Sequence, residues 1–189
     1  SYEPALHDRL AGRVGAFREV MKAMQITRRM GAEMWVTVPV MRGNAAHLHR
    51  VVALVSKFGL SRVQFSFPRP VELPHTVRNE ELLRLSDAAR AVNRAAAYAA
   101  RVGVKVSTEG FPLCLLDVSL HGTPDVSEDF SRHRIDDLGL VHDEFDGVRE
   151  KMRPLALPCR ECRLRESCPK TWALYLEMFG TGELKRVAD

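Results

Sequence analysis

Four cysteines are the residues of this chain whose type and spacing could do chemistry. Cys159, Cys162 and Cys168 form a C-x2-C-x5-C group, and Cys114 lies upstream of it. A C-x-x-C bend lets two thiolates converge on one centre, and a third can close the site from the start of a following helix. Cys114 can complete a four-sulfur shell. The spacing therefore predicts a metal site rather than four separate buried thiols.

Two kinds of metal site suit these thiols. A zinc ribbon usually needs two C-x-x-C knuckles, whereas this chain has one, and the asymmetry favours an iron–sulfur cluster. Zinc bound by three cysteines and one histidine stays open as the alternative. The candidate histidines lie between Cys114 and Cys159, and they are His121, His133 and His142.

Composition narrows the class of protein. The chain has 189 residues, of which 46% are hydrophobic, enough for one buried core with a small appendage. It contains no apolar run of about 18 residues that could span a membrane. The net charge of +4 permits an anionic partner, but no aromatic residues interleave the basic ones, so nucleic-acid binding is not expected.

The first residues do not form a signal peptide, and we therefore expect reduced thiols in a cytoplasmic protein.

Alternating helices and strands must position the cysteines. Apolar spacing predicts helices over 13–30, 44–58 and 79–102. A nearly continuous apolar run predicts a strand buried on both faces over 34–40, and two further strands, over 62–67 and 104–108, are interpreted as the same buried type. This order argues for parallel strands with right-handed crossovers. The region from 118 to 153 is predicted to be a connecting loop with a short helix near 143–152, and Pro169 suits the first turn of a last helix.

Polar residues follow each predicted strand, where parallel sheets place their sites. They are Arg42-Gly43-Asn44, Arg69 and Glu109. We expect Asn44 to cap the next helix, with a ligand contact as the alternative, and the helix start at 45–47 to suit an anion. The adjacent His7-Asp8 pair is interpreted as helix-start chemistry or a scaffold contact.

Five segments, in order, resemble those of radical S-adenosylmethionine enzymes. The first runs from His7-Asp8 to Phe17 and resembles the HD…G…G-S-F segment after the fourth barrel strand. The next three resemble the V-x-x-x-N-x-x-x-L, sixth-strand and P-x-C-L-L segments, and they are Val38–Leu48, Phe65–Pro70 and Phe111–Leu116. The tail with Cys159, Cys162, Cys168, Tyr175, Gly180 and Glu183 resembles the C-x-x-C-x5-C-x-G-x4-Y-x4-G-x-x-E ending of members with a SPASM or twitch auxiliary cluster.

The resemblance implies an α/β fold, with a partial TIM-like (βα) barrel over 1–117 and a linker and auxiliary-cluster region over 118–189. It implies that an auxiliary 4Fe–4S cluster is held by Cys114, Cys159, Cys162 and Cys168, and that Asn44 lies near S-adenosylmethionine. The parent enzyme would cleave S-adenosylmethionine to a 5′-deoxyadenosyl radical, which would abstract hydrogen from a small-molecule or peptide substrate. A flavodoxin or ferredoxin would supply the electron.

The chain departs from the family pattern at three points. It lacks the C-x3-C-x2-C motif of the catalytic cluster and the glycine-rich segment, and Lys170 replaces the usual glycine after Cys168-Pro169. We therefore expect the C-terminal part of such an enzyme, which does not cleave S-adenosylmethionine alone. A zinc-stapled structural module, or a nucleic-acid-binding domain on a zinc knuckle, remains the alternative.

Overall fold

The computed structural model describes residues 1–70, 80–122 and 151–188, together with the backbone of 135–137 and 140–142. Two helices open the chain, α1 (Pro4–Ala11) and α2 (Ala16–Arg29). Strands and helices then alternate as β1 (Val36–Pro39), α3 (Leu48–Lys57), β2 (Arg62–Ser66), α4 (Leu85–Arg101) and β3 (Lys105–Glu109). Further on lie β4 (Ile135–Asp137), β5 (Leu140–His142) and α5 (Ala173–Phe179). Short 3-10 turns occupy Ala45–His47, Leu113–Leu115, Val118–Leu120 and Leu157–Cys159.

The first three strands form a parallel sheet in the order β1-β2-β3. In the register, Val38 pairs with Phe65, and Phe65 pairs with Thr108. The predicted α/β class and parallel pairing are therefore confirmed.

The prediction that the strands are buried on both faces is wrong. One face carries buried side chains, such as Val38, Phe65 and Val106, which share a core with α3 and α4. The other face is polar and half-buried or exposed, with Thr37, Gln64, Ser66, Ser107 and Glu109. Because successive side chains of a strand point to opposite faces, most polar residues of these strands fall on one side, and Thr108 is the buried exception.

The start of α2 is set by a side chain of α1. The two carboxylate oxygens of Asp8 accept hydrogen bonds from the backbone N–H groups of Gly15, at 2.6 Å, and Phe17, at 2.8 Å. These N–H groups belong to the helix start, which has no intrahelical acceptors. The scaffold interpretation of Asp8 is thus confirmed, and α2 begins at Ala16 rather than at 13.

The start of α4 is later than predicted. We expected Asn79, Glu80 and Glu81 to open this helix, but α4 begins at Leu85, and Asn79 lies outside the described residues. The buried carboxylate of Glu81 accepts instead from the N–H of Gly43 at 2.7 Å and pairs with Arg9 at 2.5 Å. Glu81 is thus held by these tertiary partners and does not open α4 as its local sequence had indicated.

The region after β3 was predicted to be an ordered or semi-ordered connecting loop, and its described part contains a pair of short strands. Strands β4 and β5 pair antiparallel, which the sequence did not predict. The short helix expected near 143–152 falls mostly outside the described residues. The last helix begins at Ala173 rather than at Pro169. The boundary between 117 and 118 stays a prediction, and Leu120 and Tyr175, beyond it, belong to the same core as the sheet. Among the described residues, none of the helices combines the length and the apolar character needed to cross a membrane.

Candidate metal centre

Cys114 is positioned by the turn that follows β3. It lies in the 3-10 turn Leu113–Leu115, between the buried Leu113 and Leu116, and is itself half-buried. The Nε2 atom of His121 lies 2.9 Å from the carbonyl oxygen of Leu113 and 3.2 Å from that of Leu116. Because a carbonyl only accepts, this nitrogen is the donor and holds the turn.

The histidine alternative for zinc stays open for His121, because a proton on Nε2 leaves Nδ1 as the nitrogen that could bind a metal. The other two candidates cannot be placed, since His133 and the side chain of His142 lie outside the described residues. The Cys3His ligand set therefore stays a hypothesis.

Successive turns fold the other three cysteines into one compact segment. The N–H of Cys162 donates to the carbonyl of Cys159 at 3.3 Å, and the N–H of Cys168 donates to that of Leu164 at 2.8 Å. All three thiols are half-buried. Cys168 was expected at the start of a helix, but a non-helical stretch separates it from α5.

The fold brings Cys114 to these three cysteines. The backbone N–H of Leu113 donates to the Sγ of Cys168 at 3.4 Å, across 55 residues of sequence. The pKa of Cys159 is raised to about 11, mainly by burial. The nearby thiols of Cys168, Cys114 and Cys162 raise it further. Burial also raises the pKa of Cys114, to which Cys168 and Cys162 contribute. Each of these two thiols is therefore within electrostatic range of the other cysteines.

The site holds no closed shell for a single ion. No group of three or more His, Cys, Asp or Glu side chains in the described ranges is arranged to bind one metal ion. With Zn–S bonds of about 2.3 Å, a tetrahedral zinc site needs sulfurs only about 3.8 Å apart. An iron–sulfur cluster attaches its thiolates to different irons, and its ligands are thus farther apart. The choice between zinc and an iron–sulfur cluster therefore stays a prediction from the cysteine spacing.

Two backbone donors point at the sulfurs. Besides the Leu113 amide, the N–H of Lys185 donates to the Sγ of Cys114 at 3.5 Å. Such hydrogen bonds stabilise thiolates and tune the potential of an iron–sulfur cluster. The half-buried side chains of Leu164 and Trp172 pack against the adjoining core.

Lys170 has the backbone conformation of a glycine. Its φ angle is 61°, and it is the only non-glycine residue with a positive φ in the described part of the chain. For an L residue this conformation costs about 1–2 kcal/mol. The chain thus keeps the left-handed turn at the position where the resemblance expects glycine. The Lys170 ammonium also acts to lower the pKa of Cys159, so its charge lies within electrostatic range of that thiol.

Tyr175 and Glu183 fix the tail, which we define as residues 151–188, to the start of α4. The fully buried Tyr175 hydroxyl donates to Glu183 and accepts from the N–H of Leu85 at 2.9 Å. Glu183 also accepts from the N–H of Ser86 at 3.0 Å and pairs with Arg84 at 3.2 Å. The tail therefore caps α4, which has no capping side chain of its own.

The tail also covers the ends of β2 and β3. The indole Nε1 of Trp172 donates to the carbonyl of Phe67 at 2.9 Å. The buried Arg153 guanidinium lies over the Trp172 ring, 4.1 Å from its centroid, and 3.7 Å from Glu109. The strand-end residue Arg69 contacts the Sδ of Met152 at 3.4 Å. These strand-end residues thus meet the tail, as their position in a parallel sheet favours.

Asn44 lies at the end of β1 but does not cap a helix with its side chain. Its Oδ1 accepts from the N–H of Met41 at 2.9 Å, and its Nδ2 donates to the carbonyl of Pro39 at 2.8 Å. The side chain is buried, so the observed role is to shape the loop after β1. The anion position expected at 45–47 gains no support, because the N–H groups of Ala45 and His47 already donate to the carbonyls of Met41 and Asn44.

Comparison with known proteins gives no match, since neither a family model, nor a curated protein, nor a solved structure is similar to this chain.

Proposed function

We propose that this chain is the C-terminal part of a radical S-adenosylmethionine enzyme and that its four cysteines hold an auxiliary 4Fe–4S cluster. One observation carries the proposal: the turn after β3 brings Cys114 to Cys168, which is distant in sequence. A buried structural thiol would not need three further thiols within electrostatic range of it.

The sheet supports the barrel part of the proposal. In a partial (βα) barrel, helices cover one face of a parallel sheet and the other face lines the interior. Helices α3 and α4 cover one face here, and the opposite face is polar. Such a face suits a polar substrate and cofactor better than it suits a second hydrophobic layer. Asn44, Arg69 and Glu109 lie at the C-terminal end of this sheet, where βα folds place chemistry.

The proposed activity belongs to the longer enzyme. This chain lacks the C-x3-C-x2-C motif, so we propose that a preceding segment binds the catalytic cluster and S-adenosylmethionine. Reductive cleavage there would yield a 5′-deoxyadenosyl radical that takes hydrogen from a small-molecule or peptide substrate. Asn44 would shape the loop beside the S-adenosylmethionine, and a flavodoxin or ferredoxin would supply the electron.

When bound, the auxiliary cluster would supply a redox-active, Lewis-acidic group at the edge of the barrel. The chain's own residues define its setting. The Leu113 and Lys185 amides stabilise negative charge on the sulfurs, and the positive charge of Lys170 partly balances that charge. The contacts between Tyr175 and Glu183 fix the tail to α4.

The proposal is tested by anaerobic reconstitution with iron and sulfide, followed by counts of iron, sulfide and zinc and an absorption spectrum. We expect about four irons and four sulfides per chain, held by the four thiolates. One tightly bound zinc without iron would support the structural zinc module instead.

A further inference from the structure

A surface pocket of about 280 Å³ borders the candidate metal centre at Cys162. The arginines that line it come from two separate segments of the tail. They are Arg160, Arg163 and Arg165 from the cysteine segment, and Arg186 from the end of the chain. A backbone hydrogen bond of 3.0 Å, from the Arg163 N–H to the Val187 carbonyl, joins the two segments.

The pocket has an excess of positive charge. Arg165 pairs with Glu166, and Arg186 pairs with Glu161, each at 2.6 Å. Within the described ranges, Arg160 takes part in no ion pair, and the same holds for Arg163. Two of the four guanidinium groups are therefore uncompensated beside Cys162.

The existing ion pairs are open to exchange. The side chains of Arg165 and Arg186 are 49% and 57% exposed, and their glutamate partners are more exposed still. Such surface pairs contribute between zero and about 1 kcal/mol. All four guanidinium groups can therefore turn to the carboxylates of a partner, to which arginine binds in a bidentate manner.

We propose that this pocket is the docking site for the acidic face of an electron-carrier protein that exchanges electrons with the four-cysteine centre. This inference rests on the proposed function. In the forward step the carrier is oxidised by one electron and the centre is reduced by one, and no covalent bond or proton changes place. Cys162 lines the pocket itself, so a docked carrier lies next to a ligand of the centre.

The exposure of the arginines favours a protein over a small ligand. A small anion is usually bound by a few polar groups fixed in a largely enclosed cavity, whereas these guanidinium groups lie at the surface. Transient electron-transfer encounters use small interfaces, and complementary charge steers their association. An open pocket lined by four arginines and by Cys162 suits such an encounter.

The test uses the reconstituted chain and, as the probe, an acidic plant-type [2Fe–2S] ferredoxin. Its dissociation constant and the rate at which it reduces the chain are measured at low and at high ionic strength. We expect Arg160→Glu with Arg163→Glu to weaken binding at least about tenfold at low salt and to flatten the salt dependence. The milder double variant, Arg160→Gln with Arg163→Gln, should bind the ferredoxin with an affinity between those of the original chain and the double charge reversal. Arg94→Glu, an exposed position on α4 outside the pocket, is the matched control and should change affinity less than about twofold.

Two controls separate the possible failures. Iron content and reduction by a small neutral photoreductant report whether the centre is intact in each variant. If both are normal while the double charge reversal binds like the original chain, the docking proposal is wrong and the proposed function stands. If the chain takes up zinc and no iron, the proposed function fails, and the docking proposal fails with it.

Discussion

The backbone amide of Leu113 donates a hydrogen bond to the Sγ of Cys168 over 3.4 Å, and so joins the end of the parallel sheet to the cysteine segment of the tail. The neighbouring Cys114 is thereby placed beside Cys168. In the proposed function, metal binding is therefore coupled to docking of the tail, and the proposal has consequences for both metal content and stability.

Replacing one cysteine should separate the metal centre from the rest of the fold. We expect Cys162→Ala to lose most of its iron and to destabilise the tail, because metal-binding free energy contributes to folding of the segment that holds the ligands. Residues 1–117 should stay folded, since their core contains no cysteine. Metal counts and limited proteolysis of the tail test this, with Ser167→Ala as the control. Unchanged iron in Cys162→Ala would show that the ligand assignment is wrong.

Removing the charge of Glu183 should weaken the contact between the tail and α4. Its carboxylate is largely buried and accepts from Tyr175 and Ser86. Hydrogen bonds to a charged group contribute about 1.5–3 kcal/mol, so Glu183→Gln should lower the free energy of unfolding by about 2 kcal/mol. Urea titrations measure the change. The matched control is Glu177→Gln on the exposed side of α5, which should change the free energy by less than about 0.5 kcal/mol.

The same contact should depend on pH. Burial alone would raise the pKa of Glu183, but the hydrogen bonds from Tyr175 and Ser86 and the charge of Arg84 outweigh it, and the pKa is lowered from its usual value. A lowered pKa in the folded state gives stability that is present above the unfolded value, about 4.5, and is lost as the pH falls through the folded one. The stability difference between the original chain and Glu183→Gln should therefore stay constant from neutral pH to about 5 and shrink below about 4.5. A difference that grew on acidification would contradict this account.

Gly110 should tolerate alanine less well than Gly103 does. Both glycines have a φ of 72°, so alanine meets the same backbone strain at either position. A Cβ at Gly110 would also lie 3.2 Å from both the Phe67 carbonyl and the Trp172 indole nitrogen, whereas a Cβ at Gly103 has no neighbour within 4 Å. We expect Gly110→Ala to cost at least about 1 kcal/mol more than Gly103→Ala. Trp172 fluorescence should shift in Gly110→Ala alone, and equal costs would show that this contact is not tight.

Replacing Lys170 with glycine should stabilise the fold. Because a lysine at a φ of 61° is strained, Lys170→Gly should raise the free energy of unfolding by about 1 kcal/mol. Lys170→Ala removes the same charge but keeps the strain, and should give no such gain. Equal effects of the two substitutions would mean that the charge near Cys159, rather than the backbone, governs this position.

The sheet could be predicted from sequence because apolar runs such as 62–67 and the helices between them encode it locally. The polar face of β2 was missed although Gln64 and Ser66 alternate with apolar residues, because all three strands were interpreted as the buried type. The cysteine group was identified from its spacing, and the position of Cys114 after β3 followed from the predicted strand.

The features that were missed depend on residues distant in sequence. The cap on α4 joins Ser86 to Glu183 across 97 residues, and Glu81 turns away from a helix because Gly43 and Arg9 offer a better partner. The β4–β5 pair lies in a segment rich in Asp, His and Ser, in which hydrophobic periodicity is too weak to indicate a strand.

The most direct test of the central claim, that four cysteines hold one iron–sulfur cluster, is X-ray absorption at the iron and zinc edges of the reconstituted chain. We predict iron with a first shell of sulfur and a second shell of iron, as in a cluster bound by thiolates. Zinc with sulfur neighbours at about 2.3 Å, and no iron in the sample, would contradict it.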